Sequence, residues 1–301
     1  MNAKSVRFPI LRRCSVPAVC AAAALLAAAG CNRSGLPDPE ARASTVEAMR
    51  KADSAVSAAG GSGGASGWFT LKGRFTYNGA PPAMPAIAMG GKDPLCKVPL
   101  TEETLAVDPA TKGLANVLIY LNEAPVVFPD FEKAPPKEVL FDQKACRFLD
   151  HVSAVNTKDK WVVLNGDDTG HNAMGTPGRG NPPFNTLLSA KTGRFEYPGF
   201  KNPLTAPFEV NCSIHPWMKS YVIARPDPYF AVTAKDGTFT IEKMPAGVEL
   251  EFVVWHERGA GEGHGLRAKP EWSSRGRFKL PAPKDGEVVT LDVAVEPSAF
   301  Q

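Results

Sequence analysis

The segment Cys212-Ser213-Ile214-His215-Pro216-Trp217-Met218 carries a thiol, an imidazole and a thioether within one short loop. A second imidazole stands upstream, in Asn165-Gly166-Asp167-Asp168-Thr169-Gly170-His171-Asn172. Thiolate and thioether favour Cu(I), while imidazoles satisfy Cu(II). Two imidazoles and a thiolate in one plane, with a weak axial thioether, make a type 1 (blue) copper site suited to single-electron transfer. The expectation is therefore one copper ion held by His171, Cys212, His215 and Met218. The C-x-x-H-x-x-M spacing brings three of these donors together locally, and the fold has to deliver His171. Zinc matches the set less well, because methionine is a poor zinc ligand. The competing reading is structural: free cysteine is a common core residue, and a His-Pro-Trp-Met run can simply pack.

The histidine count narrows the chemistry. With five in the chain and two given to copper, too few remain for the copper cluster of a multicopper oxidase. A closed four-donor site has no open position for substrate, unlike a catalytic metal. No Ser–His–Asp arrangement, phosphate-cradling glycine loop or dinucleotide fingerprint is present, so an enzyme is not expected. Two other histidine segments stand out. His151 follows Cys146-Arg147-Phe148-Leu149-Asp150 and is expected to pack or hydrogen-bond near a disulfide. Trp255-His256-Glu257, with His264, could form a surface metal site, although exposed or hydrogen-bonded histidines are the commoner outcome. Asp167-Asp168 reads as a solvated turn, and Trp217 as a docking-patch or core aromatic.

The elements that must position these donors read as strands. Trp68 to Tyr77 alternates and ends at the turn signal Asn78-Gly79. Short β-branched or aromatic runs follow at 116–121, 139–142, 152–155, 161–165, 208–212 and 221–224. Beyond Asp227 come 230–234, the turn Asp236-Gly237, then 238–241, 248–255, 277–280 and 288–295. With 27 glycines and 28 prolines punctuating these runs, the expected class is all-β: a Greek-key sandwich and a smaller C-terminal sandwich.

At the ligand segments the chain resembles the cupredoxins, the plastocyanin, pseudoazurin and amicyanin family of small blue copper proteins. The resemblance covers about Trp68 to Arg225 and implies His171, Cys212 and His215 as strong ligands with Met218 axial. It also implies that Asn172 braces the loop around Cys212. Gly170 stands where many relatives have proline, and the Pro-rich stretch from Ala80 to Pro99 is an insertion. Asp236-Gly237-Thr238-Phe239-Thr240-Ile241 with Pro245-Ala246-Gly247 resembles the carboxypeptidase-regulatory-like domains, small transthyretin-like sandwiches that are generally non-catalytic.

The N-terminus reads as an export signal. Lys4, Arg7, Arg12 and Arg13 precede an apolar run from Val16 to Ala29, too short for a spanning helix. That run ends at Gly30-Cys31 in a segment resembling a bacterial lipobox, which implies lipidation of Cys31 and attachment to a membrane. Gly60-Gly61-Ser62-Gly63-Gly64 is a flexible linker by composition. The expected organisation is thus a signal peptide (1–30), a tether (31–66), a cupredoxin-like copper domain (67–225) and a carboxypeptidase-regulatory-like sandwich (226–301). In the mature body Cys96, Cys146 and Cys212 allow one disulfide and one free thiol. We assign the bridge to Cys96–Cys146, although cysteine arithmetic alone leaves the other pairings open.

The formal net charge is +3, and without the four basic residues of the signal it is close to neutral, so nucleic acid is not an expected partner. The expected function is single-electron transfer between exported or membrane-bound redox proteins, from a periplasmic or cell-surface lipoprotein. The alternatives are a copper storage or delivery protein and a metal-free adhesion module.

Overall fold

The computed structural model describes residues 64–87, 95–96 and 99–301. The signal peptide, Cys31 and nearly all of the tether lie outside the described residues. Among the described residues no helix is long and apolar enough to cross a membrane.

The chain is all-β. Strand β1 (Trp68–Tyr77) alternates buried and partly buried side chains, as its sequence pattern requires. Its partners come from the far end of the chain: β14 (Thr238–Pro245) pairs antiparallel and β17 (Val288–Val295) parallel. β2 (Leu118–Leu121) pairs with β13 (Phe230–Val232) and β15 (Leu250–Trp255), and β15 pairs with β16 (Arg277–Leu280). These two sheets enclose one core, including Phe69, Phe75, Ile119, Phe252 and Val293. The strand partnerships therefore differ from the expected boundaries. β1 and β2, assigned by sequence to 67–225, build the sandwich together with strands of 226–301. The reason is long-range pairing, which strand patterns do not encode. The corner at Asp236-Gly237 needs its glycine: φ is +84°, and a Cβ there would meet the Phe75 carbonyl oxygen at 2.1 Å.

The intervening strands form a second sandwich. One sheet has the order β10-β7-β3, from β3 (Glu138–Phe141), β7 (Lys160–Asn165) and β10 (Gly193–Glu196). The other has the order β6-β12-β11-β8-β9, from β6 (Val152–Asn156), β8 (His171–Gly175), β9 (Phe184–Leu188), β11 (Phe208–Asn211) and β12 (Lys219–Arg225). Trp161 is central to its core, with the rings of Phe141, Phe184 and Tyr197 at 5.3, 5.6 and 5.8 Å. A two-residue-strand hairpin, β4 (Gln143–Lys144) and β5 (Arg147–Phe148), stands beside it.

The two cores share a wall. Leu118, Tyr120, Val253 and Trp255 face the second core, whereas Ile119, Leu121, Phe252 and Val254 face the first. β2 and β15 are thus buried on both faces, which explains why Leu118–Leu121 is uninterrupted by polar residues. Arg225, buried at the end of β12, donates to the carbonyls of Leu121 (2.7 Å) and Asn122 (3.0 Å) across that wall.

Candidate metal centre

Residues 212–218 connect β11 to β12, and their geometry follows from the local sequence. Asn211 pairs with Lys219, so the strands fix both ends of the loop. The Met218 N–H donates to the His215 carbonyl (2.8 Å), a β-turn with Pro216 at its second position, where a fixed φ near −65° is favoured. The Cys212 N–H donates to the Met218 carbonyl (3.2 Å) and closes the loop.

His171 is the first residue of β8. The turn before it is organised by Asn165, whose side chain donates to the carbonyls of Thr169 (2.9 Å) and Leu188 (3.0 Å) and accepts the Asp167 N–H (3.0 Å). β8 pairs with both β9 and β11, and this pairing carries His171 to the ligand loop. The ligand atoms of His171, Cys212 and His215 all lie within 4.8 Å of one another. Nδ1 of His171 is 2.8 Å from Nδ1 of His215, and the latter is 3.8 Å from the Cys212 sulfur. All three residues are buried, as is Met218 at 1% exposure. Cys212 is the free cysteine among the described residues, and Cys96 is bonded to Cys146. A buried thiol and two converging imidazole nitrogens, with a buried thioether on the same loop, fit a copper ion of mixed soft and intermediate ligation.

Around these donors, the backbone N–H of Asn172 donates to the Cys212 sulfur (3.4 Å). The Asn172 side-chain oxygen accepts from the Ser213 N–H (2.7 Å) and hydroxyl (3.1 Å), and its amide donates to Asn185 (2.8 Å). Asp167 departs from the solvated turn expected of it. Its Oδ2 bonds Nε2 of His171 (3.0 Å) and accepts the Cys146 N–H (2.6 Å), while Oδ1 accepts the Asp168 N–H (2.9 Å). Partial burial works to raise the Asp167 pKa, but the hydrogen bonds from His171, Cys146 and Asp168 outweigh it and hold the carboxyl below its ordinary value. Asp168 does lie at the surface, 3.0 Å from Lys191. Sequence reasoning missed Asp167 and Asn165. The available signal was an Asx-rich turn directly before a candidate ligand.

The other residues singled out in the sequence stand outside the cluster of donors. Trp217 is half-buried, and its Nε1 donates to the Cys146 carbonyl (3.0 Å). His151 bonds Glu257 through Nε2 and faces Glu103 at 3.7 Å through Nδ1. His256 is buried and its Nδ1 accepts the Arg258 N–H (3.2 Å), whereas His264 is exposed. Trp255, His256, Glu257 and His264 are absent from the metal-capable clusters among the described residues.

No protein-family model and no curated protein sequence matches the chain. Solved structures similar to it include a mutant of amicyanin in its Cu(I) form: 13% identity, TM-score 0.26, covering 29% of this chain and 82% of that one. A second amicyanin mutant, in its reduced Cu(I) form at pH 4, is 16% identical with a TM-score of 0.25, covering 36% of this chain and 98% of that one. A copper-containing nitrite reductase from Thermus scotoductus SA-01 is 22% identical with a TM-score of 0.25, covering 30% of this chain and 22% of the reductase. At these identities and scores the likeness decides nothing about activity, and the convergence of His171, Cys212 and His215 stands on its own geometry.

Proposed function

We propose that this chain is an exported, lipid-anchored type 1 copper protein that carries single electrons between exported or membrane-bound redox proteins. One observation carries the reading: a buried free thiol, Cys212, lies with two imidazoles in a cluster no wider than 4.8 Å, on a loop that also buries Met218. Copper held there by His171, Cys212, His215 and Met218 supplies a one-electron couple.

The rest is the work of the chain's own residues. The Asn172 N–H donates to the Cys212 sulfur and draws negative charge from the thiolate. The Asn172 side chain ties the ligand loop to β8. Burial of the donors keeps water out, leaving no open position for a substrate, and a rigid sandwich limits rearrangement when the charge changes. The same burial argues against storage or delivery, which needs exchangeable metal: the three strong donors are at most 2% exposed. The Cys96–Cys146 disulfide suits an exported chain, and Cys31 is the anchor in this reading.

The test is a visible spectrum of the full chain titrated with Cu(II). An intense blue band, bleached by reductant and lost in Cys212→Ala, is expected. A colourless protein with weak copper binding refutes the electron-carrier reading.

A further inference from the structure

We propose that Asp167 is the positioning residue for His171, and that disulfide-bonded Cys146 holds Asp167 in place, so that the Ala145-Cys146 turn braces the ligand set from outside it. The inference rests on the copper reading above. Asp167 Oδ2 takes both the Nε2 of His171 (3.0 Å) and the backbone N–H of Cys146 (2.6 Å). With Nε2–H committed to the carboxylate, Nδ1 is the ring nitrogen left to face Cys212 and His215, and the ring cannot flip without losing that bond.

The same residue reaches the other imidazole. The Cys146 carbonyl accepts from Trp217 Nε1 (3.0 Å), and the Trp217 ring lies 5.1 Å from that of His215. One peptide segment therefore supports both histidines, using its N–H for one and its C=O for the other.

That segment is held in an unusual conformation. Ala145 and Cys146 join β4 to β5 with φ of +53° and +55°, a left-handed pair normally left to asparagine and glycine. The sequence has neither there. Such a turn persists where its surroundings over-determine it. Here the bond to Cys96, the β4–β5 pairing and the Asp167 carboxylate all act on Cys146. Cys146, Asp167 and His171 also form a compact cluster. Because the Cys146 sulfur is in the disulfide, that cluster is a support rather than a second metal site.

The test uses the full chain with Asp167→Ala, Asp168→Ala as the surface control, and the double variant Cys96→Ser/Cys146→Ser. Cu(II) affinity is measured by chelator competition, and the imidazole nitrogen shifts of His171 are read by NMR on the copper-free chain. Asp167→Ala is expected to weaken Cu(II) binding about 10–100-fold and to move the His171 nitrogen shifts from a single Nε2–H tautomer toward those of a tautomer mixture. The serine pair should move both readouts in the same direction by less, and Asp168→Ala should move neither. Wild-type affinity and wild-type nitrogen shifts in a folded Asp167→Ala chain overturn the proposal. Should that variant fail to fold, Asp167→Leu, which keeps the size but has no acceptor, is judged by the same two readouts. If the wild-type chain takes up no copper, the functional reading falls, and the copper-free nitrogen shifts still decide whether Asp167 orients His171.

Discussion

Replacing Asn172 with alanine tests whether the ligand loop is held by its side chain. The residue is 4% exposed and its amide group makes three hydrogen bonds, two from Ser213 and one to Asn185. Each is worth about 1 kcal/mol net, and a buried orphan costs about 1–3 kcal/mol. Ser213 and Asn185 are both exposed, so water replaces part of what is lost. The sum comes to about 2 kcal/mol of stability. For a folded body of this size that corresponds to a fall in melting temperature of about 4–8 °C. The Asn172 backbone N–H to the Cys212 sulfur survives the substitution, so the energy of the blue band should hold while copper is retained less tightly. Urea unfolding of the copper-free chain gives the stability change, and chelator competition gives the affinity. Asn172→Asp keeps the acceptor for Ser213 but loses the donor to Asn185 and buries an unpaired carboxylate, so it should not restore the stability. A change below about 0.5 kcal/mol, the range of an ordinary surface substitution, together with unaltered copper binding would refute the brace.

Burial lowers the His256 pKa to about 3, with the nearby charges of His151 and Arg258 adding to the effect. The unfolded chain then binds a proton that the native chain refuses, so this residue's contribution is lost as pH falls from about 6.5 toward 3. His256→Asn, whose oxygen can accept the Arg258 N–H in place of Nδ1, should flatten the acid limb of a stability–pH curve over that window. An unchanged limb counts against burial as the cause. Arg225→Ala leaves Asp227, 1% exposed, without the guanidinium that lies 3.5 Å from it, and removes the ties to Leu121 and Asn122. A loss of about 3–5 kcal/mol is expected in urea unfolding, with part of it restored by adding Asp227→Asn. A loss below about 1 kcal/mol would mean that the shared wall does not depend on this residue.

Much of the local structure was legible in the sequence. Alternation marked β1, β-branched and aromatic runs marked β7 and β17 nearly to the residue, and the Asp236-Gly237 turn was readable because only glycine tolerates its backbone. Donor chemistry selected the 212–218 loop and His171, which the structure brings together. Other elements carried no such signal. β9, buried only at Phe184 and Leu188, and β10, which mixes exposed and half-buried positions, escaped notice. The hairpin turn at Ala145-Cys146 lacks the residues that usually announce it.

What the sequence by itself determined was the all-β class, most strands and the donor residues of the candidate site, because strand patterns and donor chemistry are properties of the residues themselves. Tertiary structure alone decided that β1 and β2 belong with β13–β17, that Leu118–Leu121 is buried on both faces, and that Asp167 meets His171 and Cys146. Those outcomes depend on contacts between segments far apart in the chain, where pairing and burial of whole faces outweigh any local preference.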